Sequence, residues 1–307
     1  MTLTELRYVV AVARERHFGR AAASCFVSQP TLSVAIRKLE DELGVSLFER
    51  RKHDVQLTAV GDRIVSQAQR VLEESDLIRM IAEAGSDPLK GTFKLGAIYT
   101  VGPYLLPGLV QTLTQLAPLM PLNIEENFTA RLSERLKQGE LDAIIIALPF
   151  EEPGIEVTPL YREPFVCVLP ASHPLQEKET LDADDLLDEP LLLLGEGHCL
   201  RTQVVAFCPQ CLTQESRALE GSSIETIRHM VASGNGITVL PCTAAGVDRY
   251  AQRLLTIRRF SPPAPSRTVA LAWRNSFPRP AAIEAVAEAC HSSQLSCVEL
   301  INRNKLS

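Results

Sequence analysis

A histidine and a cysteine follow a glycine-rich turn in the segment Gly195-Glu-Gly-His-Cys199. An amphipathic run begins directly after this turn, which predicts that Cys199 lies at or near the N-terminus of a helix. The free N–H groups and the dipole at that end of a helix favour a thiolate over a thiol. His198 and Arg201 add positive charge nearby. These residue types indicate a reactive, nucleophilic cysteine.

Two more cysteines follow in the same stretch. Cys208 lies nine residues after Cys199, and Cys208-Pro-Gln-Cys211 is a C-x-x-C motif. On one continuous helix the Cα atoms of Cys199 and Cys208 would be about 13 Å apart, whereas a disulfide needs them within about 7 Å. If both serve one redox chemistry, forming the bond must unwind the segment. Cys211 is a competing partner for either thiol.

A zinc site is another use of the same residues. His198, Cys199, Cys208 and Cys211 could supply four ligands, although no partner hairpin or second C-x-x-C supports this alternative. We expect no metal and no cofactor.

Composition limits the class of protein. The chain has 307 residues, 46% hydrophobic and 22% charged, which is ordinary for a globular protein of two or more domains. No apolar run approaches the roughly 20 residues of a membrane span, and the start lacks the apolar core of a signal peptide. We therefore expect a cytoplasmic protein with no membrane contact.

Five cysteines are expected to be small buried hydrophobes, the last two in the final helix: Cys25, Cys167, Cys242, Cys290 and Cys297.

The N-terminal residues have the pattern of a DNA-binding module. The chain carries a net charge of −6, but residues 1–64 contain ten Lys/Arg against eight Asp/Glu. Helical periodicity near residues 4–13, an Ala-rich segment at 18–25 and a third run after Ser28 predict three helices. The last two are short helices joined by a tight turn, and the second of them is polar on its outer side. Ser28 is a good N-cap and Pro30 suits the first helical turn. The residues expected to contact DNA are Ser28, Gln29, Pro30, Thr31, Ser33, Arg37, Lys38 and, at a basic hairpin wing, Arg50.

A long helix is predicted over residues 59–84, which contain no proline and no glycine after Gly61. Leu57, Ile64, Val71 and Ile78 recur every seven residues, which indicates a seam for pairing between two subunits. The alternative is a helix that packs on its own domain. Residues 85–91 read as a hinge.

The remainder alternates short apolar strands with helices, which predicts an α/β body of two subdomains crossed twice by the chain. The expected boundaries are a winged helix-turn-helix at 1–58, a linker helix and hinge at 59–88, and a regulatory domain at 89–307. Its first subdomain would comprise 89–162 and 267–307, and its second 163–266. Thr100 and Thr129 end strands, and Arg228 lies one turn into a helix capped near Ser222, the places where α/β proteins bind small polar ligands.

An ordered set of N-terminal motifs resembles the signature of the LysR-type transcriptional regulators. The set is Phe18-x-x-Ala-Ala, Ser28-Gln-Pro-Thr-Leu-Ser, Ile36-x-x-Leu-Glu and Leu43-Gly-x-x-Leu-Phe-x-Arg50. The resemblance implies a winged helix-turn-helix that works as a homodimer or homotetramer on double-stranded DNA with dyad symmetry. It also implies a periplasmic-binding-protein-like regulatory domain, with RNA polymerase as a partner.

The segment around Cys199, together with Thr100-Val-Gly-Pro-Tyr-Leu-Leu-Pro, resembles the peroxide-sensing members of that family. The resemblance implies that the Cys199 thiolate reacts with hydrogen peroxide to form a sulfenic acid, and that Cys208 condenses with it to form a disulfide. It assigns Thr100, Thr129, His198 and Arg228 to the peroxide pocket. A cellular dithiol would reset the bond.

Two rival functions remain open. One is a LysR-type regulator that answers to a small metabolite in the cleft between subdomains, with Cys199 merely structural. The other, from a different class, is an enzyme such as a thiol peroxidase. We expect a regulator and no enzyme.

Overall fold

The computed structural model of the chain describes residues 1–51, 54–84, 87–212, 220–246 and 254–301. It confirms the predicted mixed α/β organisation with an N-terminal helix-turn-helix. Its described residues form three separate hydrophobic cores, one N-terminal and two in the α/β body.

The N-terminal core is built from three helices, a hairpin and the start of a long helix. In chain order these are α1 (Leu3–Glu15), α2 (Phe18–Ser24), α3 (Gln29–Leu43), β1 (Phe48–Arg51), β2 (Asp54–Leu57) and α4 (Ala59–Ala84). The side chain of Ser28 caps α3 by accepting from the Thr31 N–H at 3.3 Å, as predicted. Gly44 ends α3 with φ +69°, a left-handed conformation that glycine adopts without a Cβ penalty.

Helix α4 has the predicted bounds, but the residues of its heptad seam differ in their surroundings. Ala68 is buried in the N-terminal core, and Ile64 and Val71 pack against that core, so these positions contact their own domain. Ile78, further along the same seam, is 70% exposed. The N-terminal half of the seam is therefore used within the subunit, and only the part around Ile78 presents an apolar side chain to solvent.

The α/β body follows α4. Its elements are β3 (Phe93–Ile98), α5 (Gly102–Leu116), β4 (Leu122–Asn127), α6 (Thr129–Lys137), β5 (Ala143–Ala147), β6 (Ile155–Pro170), β7 (Thr180–Leu181), β8 (Leu193–Leu194), α7 (Cys199–Phe207), β9 (Glu220–Gly221), α8 (Ile224–Ala232), β10 (Thr238–Pro241), α9 (Cys242–Ala245), β11 (Leu255–Phe260), β12 (Ser266–Arg274), α10 (Pro280–His291) and β13 (Glu299–Leu300). Short 3-10 helices lie at Pro174–Glu177, Ala183–Leu186 and Pro209–Leu212.

The first core of the body lies around a parallel sheet. Strand β3 pairs in parallel with both β4 and β5, and β5 is buried along its whole length, as its continuous apolar run predicted. Helices α5, α6 and α10 pack on this sheet. The second core contains the last residues of β6 with β8, β10 and β11, and helices α7 and α8 cover it.

One long strand, β6, runs from the first of these cores to the second. In β6, residues 155–164 pair with β12 and residues 165–170 pair with β10 and β11. The strand continues through Pro159, which sits opposite Ala270 where the register shifts, a bulge that tolerates a missing N–H. Strand β8 is short, and Leu191 before it makes one isolated bridge to Ile237.

Charged side chains join the N-terminal elements to the body. On α4, Glu73 forms an ion pair of 2.6 Å with Arg274 on β12, and both side chains are almost fully buried. The hydroxyl of Ser276 also donates to Glu73 at 2.7 Å. On α1, Arg14 contacts Glu140 at 3.3 Å. The long helix is thus held to the first subdomain by a buried charge pair, which is costly to break.

No helix in the described ranges is both long and apolar enough to cross a membrane.

Candidate functional site

Cys199 is the first residue of α7, as the sequence predicted. The turn before it contains Gly197 at φ +92°, where a Cβ would meet the ring of Phe128 at 3.2 Å. His198 occupies the N-cap position, and its side chain makes no capping hydrogen bond. The N–H groups at the start of the helix are therefore not taken up by a capping side chain. Cys199 is a free, half-buried thiol.

Two cavities meet at His198. One of about 540 Å³ is lined by Cys199 and Thr129, and one of about 350 Å³ by Thr100 and Phe128, while the His198 side chain borders both. The hydroxyl of Thr129 is buried without a hydrogen-bond partner among the described residues. A buried, unsatisfied hydroxyl is costly, and this one belongs to a residue that lines the same cavity as Cys199.

His198 does not supply the positive charge that the sequence suggested. Its ring stacks edge-on against Phe128, with centroids 4.8 Å apart, and lies 6.0 Å from the ring of Tyr99. Burial lowers the pKa of His198, and a backbone hydrogen bond with Ser222 opposes this only in part. Because the neutral imidazole is favoured, the expected contribution of His198 to a positive field was wrong.

The guanidinium of Arg201 is engaged by two other groups. Its guanidinium donates to the Leu194 carbonyl at 2.9 Å and pairs with Glu220 at 2.7 Å. It thereby ties α7 to β8 and β9.

A buried cation that the sequence analysis missed, Arg267 on β12, interacts electrostatically with Cys199. Its side chain is fully buried and donates to the hydroxyl and carbonyl oxygens of Thr100 at 2.9 and 2.8 Å. Burial works against the charge, but Glu163 and Cys199 are the main groups that hold the pKa of Arg267 above its usual value. Arg267 therefore lies close enough to the thiol for the two charges to interact. Nothing local in the sequence marked it, since it follows Cys199 by 68 residues, within an apolar strand.

Arg267 belongs to a buried chain of polar groups. Its Nε donates to Glu163 Oε1 at 2.7 Å, and the other carboxylate oxygen accepts from the Thr243 hydroxyl at 2.6 Å. Glu163 is fully buried, so this pairing satisfies a charge that would otherwise be strongly unfavourable. The chain runs from α9 through β6 and β12 to Thr100 at the start of α5.

Arg228 does not line the cavity that contains Cys199. It is buried on α8 and pairs with Glu225 at 3.1 Å, and Glu225 lines the smaller cavity. The Nε of Arg228 has no hydrogen-bond partner among the described residues. Of the four expected pocket residues, Thr129 and His198 border the Cys199 cavity, whereas Thr100 borders the neighbouring one and Arg228 lines neither.

Cys208 lies at the opposite end of α7 from Cys199, as the C-cap. It is buried and disulfide-bonded, and its partner is not Cys199, which is free. The side chain of Cys211 lies outside the described residues. A disulfide sulfur cannot act as a thiolate ligand, which argues against the zinc alternative in this state.

The expectation of five inert cysteines was only partly correct. Cys167 and Cys290 are buried, and burial raises the pKa of each thiol. Cys25 is half-buried at the end of α2. Cys242 and Cys297 form a disulfide, and Cys297 lies beyond α10, which ends at His291.

The predicted DNA-contacting residues share one face at the start of α3. Leu32, Ile36 and Leu39 are buried, whereas the opposite face carries these exposed residues: Ser28, Gln29, Pro30, Thr31, Arg37 and Lys38, with Ser33 half-buried. Val34 on the same face is 69% exposed, an apolar side chain that could contact a thymine methyl and that the sequence analysis did not select. Arg50 is in β1, with its side chain outside the described set.

Comparison with known proteins agrees with this architecture. Residues 3–62 match the bacterial regulatory helix-turn-helix protein of the LysR family, and residues 86–294 match the LysR substrate binding domain. The Escherichia coli K12 protein named DNA-binding transcriptional dual regulator OxyR is 40% identical over 94% of both chains.

Two solved structures are similar over nearly the whole chain. The full-length OxyR C199D of Pseudomonas aeruginosa has a TM-score of 0.81, with 54% identity over 98% of both chains. A hydrogen-peroxide-bound OxyR mutant of Corynebacterium glutamicum has a TM-score of 0.64, with 31% identity over 95% of this chain and 92% of that one. The chain belongs to the LysR family of bacterial transcriptional regulators and, within it, groups with the OxyR proteins.

Proposed function

We propose that this chain is a hydrogen-peroxide-sensing transcriptional regulator whose sensor is Cys199. The observation that carries the proposal is the free Cys199 thiol at the start of α7, in one cavity with the unpartnered hydroxyl of Thr129 and in electrostatic contact with Arg267. The relatives are named as peroxide-inducible gene activators, and one neighbour is described with peroxide bound.

The first chemical step is nucleophilic attack by the Cys199 thiolate on one peroxide oxygen. The O–O bond breaks, the distal oxygen leaves as hydroxide and takes up a proton, and Cys199 becomes a sulfenic acid. Arg267 stabilises the thiolate before the attack. The Thr129 hydroxyl and the helix N–H groups donate to the peroxide oxygens as negative charge develops on the leaving oxygen. We assign His198 to the wall that orients peroxide and limits water. Thr100, which holds Arg267, and Arg228, which lines neither cavity in this state, would reach peroxide only after the cleft rearranges.

The second step forms a disulfide. A second thiolate attacks the Cys199 sulfur and displaces hydroxide, so two thiols have given two electrons to one peroxide and two waters result. Cys208 is our proposed partner, with Cys211 as its competitor. Because Cys208 is already disulfide-bonded here, a dithiol must reduce that bond before Cys208 can act, and must reset the sensor afterwards.

Bond formation between Cys199 and Cys208 requires α7 to unwind, because the two residues lie at opposite ends of the helix. Leu200 and Val204 are buried on its inner face. Exposing them costs roughly 1.5–3 kcal/mol each, so the oxidised segment must find a different packing. We infer that this change alters the arrangement of subunits and their contacts with DNA.

The remaining assignments follow the same proposal. Residues 1–58 would bind double-stranded DNA with dyad symmetry, 59–88 would link and dimerise, and 89–307 would regulate. The subdomains would meet near residues 162 and 266. The protein would act in the cytoplasm as a homodimer or homotetramer with RNA polymerase as partner, and would not turn over peroxide as an enzyme.

The test is promoter output and DNA binding of Cys199→Ser before and after peroxide. The proposal expects that the variant binds DNA but no longer responds. Cys290→Ala is the matched control, because burial raises the pKa of that thiol and should keep it unreactive. A Cys199→Ser protein that still responds to peroxide overturns the proposal. Peroxide consumption over many cycles, rather than about one equivalent per subunit, would favour a thiol peroxidase.

One observation favours a second candidate, a regulator that binds a small metabolite. The cavity of about 350 Å³ lies between the two subdomains and is lined by Tyr99, Tyr104 and Glu225 rather than by Cys199. Its polar and aromatic lining suits a small organic ligand. A promoter response that needs a metabolite but not Cys199 would support this candidate.

A further inference from the structure

A second pair of cysteines lies far from α7. Cys242 is the first residue of α9, and Cys297 lies between α10 and β13, 55 residues later. Their Cα atoms are 6.3 Å apart and the two form a disulfide. Cys297 is exposed and Cys242 is half-buried. Exposed disulfides exchange readily with thiols, and disulfides inside cells are usually transient or regulatory.

The bond joins α9, which contacts Glu163, to the segment before β13, which pairs with the residue next to Glu163. In α9 the residue after Cys242 is Thr243, whose hydroxyl donates to Glu163 at 2.6 Å. Two residues after Cys297, Glu299 begins β13 and pairs with Arg162, the neighbour of Glu163 on β6. The disulfide therefore fixes the surroundings of Glu163 from two sides.

Glu163 in turn positions Arg267, the cation that interacts with Cys199. Its Oε1 accepts from Arg267 Nε at 2.7 Å, which leaves the other guanidinium nitrogens for Thr100. All of these atoms are buried, so the loss of one hydrogen bond must be compensated by its neighbours. A Thr243 that moved away would leave Oε2 free to accept a second N–H from Arg267, which would turn the guanidinium from Thr100 towards Glu163.

We propose that Cys242 and Cys297 are a second redox site, a dithiol–disulfide couple that exchanges with low-molecular-weight thiols and disulfides and sets the reactivity of Cys199 through Thr243, Glu163 and Arg267. The proposal rests on the function argued above for Cys199. It adds that the redox state of the couple controls how reactive that sensor is. With the couple oxidised, Arg267 keeps its hydrogen bonds to Thr100 and Cys199 is reactive. With the couple reduced, Cys199 is less reactive.

The exchange has a balanced course. The exposed Cys297 thiolate attacks a small disulfide, which releases one thiolate and leaves a mixed disulfide on Cys297. The Cys242 thiolate then attacks the Cys297 sulfur, closes the intramolecular bond and releases the second small thiolate. The couple loses two electrons and two protons, and the small disulfide gains them as two thiols. An excess of the small thiol drives the same steps in reverse.

The first experiment measures whether the couple titrates. Full-length protein is equilibrated in mixtures of glutathione and glutathione disulfide, acid-quenched, alkylated and digested, and the peptide that joins Cys242 to Cys297 is quantified by mass spectrometry. The cross-linked fraction should rise as the proportion of glutathione disulfide increases. A fraction that stays at zero, or that no excess of glutathione lowers, overturns the proposal.

The second experiment measures the coupling. The rate at which iodoacetamide alkylates Cys199 is compared in the oxidised wild type, in Cys242→Ser/Cys297→Ser and in Thr243→Val. Near pH 7 both variants should react about fivefold more slowly, whereas near pH 10, above the ordinary pKa of a cysteine thiol, the rates should agree within about twofold. Thr243→Ser keeps the hydroxyl and should restore the rate.

Thr114→Val is the matched control, because the Thr114 hydroxyl donates only to the Val110 carbonyl on the exposed side of α5. Equal rates near pH 7 in all proteins overturn the coupling. This assay uses neither peroxide nor DNA, so it is independent of the proposed function. A promoter whose output does not respond to peroxide would contradict the sensor assignment, but it would not change the alkylation result.

Discussion

Arg267 and Glu163 form an ion pair of 2.7 Å in which neither side chain is exposed. Both residues of the pair also contact other groups. Arg267 donates to Thr100 and interacts with Cys199, and Glu163 accepts from Thr243. A buried pair of this kind stabilises little by itself, since desolvation offsets the attraction. The role of the pair here is to hold the positive charge of Arg267 in place near the Cys199 thiol.

Loss of the Arg267 charge should slow every reaction of the Cys199 thiolate. Arg267→Met alone leaves Glu163 buried and unpaired, at a cost of about 3–5 kcal/mol, so Glu163→Gln/Arg267→Met is the informative protein. We expect its Cys199 to alkylate about tenfold more slowly near pH 7. Arg258→Met is the control, since Arg258 donates to the Gln176 carbonyl away from the cleft. A folded double variant with wild-type reactivity would refute the role of Arg267.

Thr129→Val should separate peroxide chemistry from general thiol reactivity. The hydroxyl has no partner in the described structure, so its removal should change stability by no more than about 1 kcal/mol. Oxidation of Cys199 by peroxide, followed by stopped-flow, should slow by about tenfold, which corresponds to one lost hydrogen bond. Alkylation by iodoacetamide should not change. Thr202→Val alters the same cavity wall as a control, and equal oxidation rates in the two variants would count against a role for Thr129.

The exposed face of α3 should bind DNA through phosphate contacts. Operator affinity should fall steeply with salt, and Arg37→Ala should reduce the slope of log affinity against log salt by about 1. Arg131→Ala removes an exposed cation on α6 and serves as the control. Fluorescence anisotropy gives both slopes. Identical slopes for Arg37→Ala and the wild type would remove Arg37 from the interface.

Ile78 should lie in a contact between subunits. It is 70% exposed on a helix whose other seam residues pack inside the subunit. Ile78→Asp should shift the dimer–monomer equilibrium towards monomer by about tenfold or more, because a charge replaces a buried apolar contact. Sedimentation velocity over a dilution series measures this. Leu254→Asp changes a similarly exposed residue of the regulatory body, and equal dissociation of both variants would contradict the assignment.

Local patterns were sufficient to predict most elements. The bounds of α4 agree with the sequence expectation, because periodicity and helix breakers lie within or next to the segment. The position of Cys199 at a helix start was predictable for the same reason. The length of β6 was less predictable, because only the pairing with β12 shows how a bulge accommodates Pro159 within one strand.

The electrostatics of the site were less predictable, since they depend on residues distant in sequence. His198 and Arg201 flank Cys199 along the chain, yet burial favours neutral His198 and Arg201 is committed to Glu220. The effective cation, Arg267, arrives from another strand. The pairing of Cys242 with Cys297 depends equally on tertiary structure, because β13 returns the end of the chain to β6.

The central claim is that Cys199 is oxidised by peroxide to a disulfide with a neighbouring cysteine. The most direct measurement is peptide mapping of the reduced full-length protein after one equivalent of hydrogen peroxide. The account predicts that Cys199 is recovered in a disulfide with Cys208, or with Cys211 if that thiol competes, while Cys290 remains free. Recovery of Cys199 as an unmodified thiol, with the oxidising equivalents found elsewhere, would contradict the account.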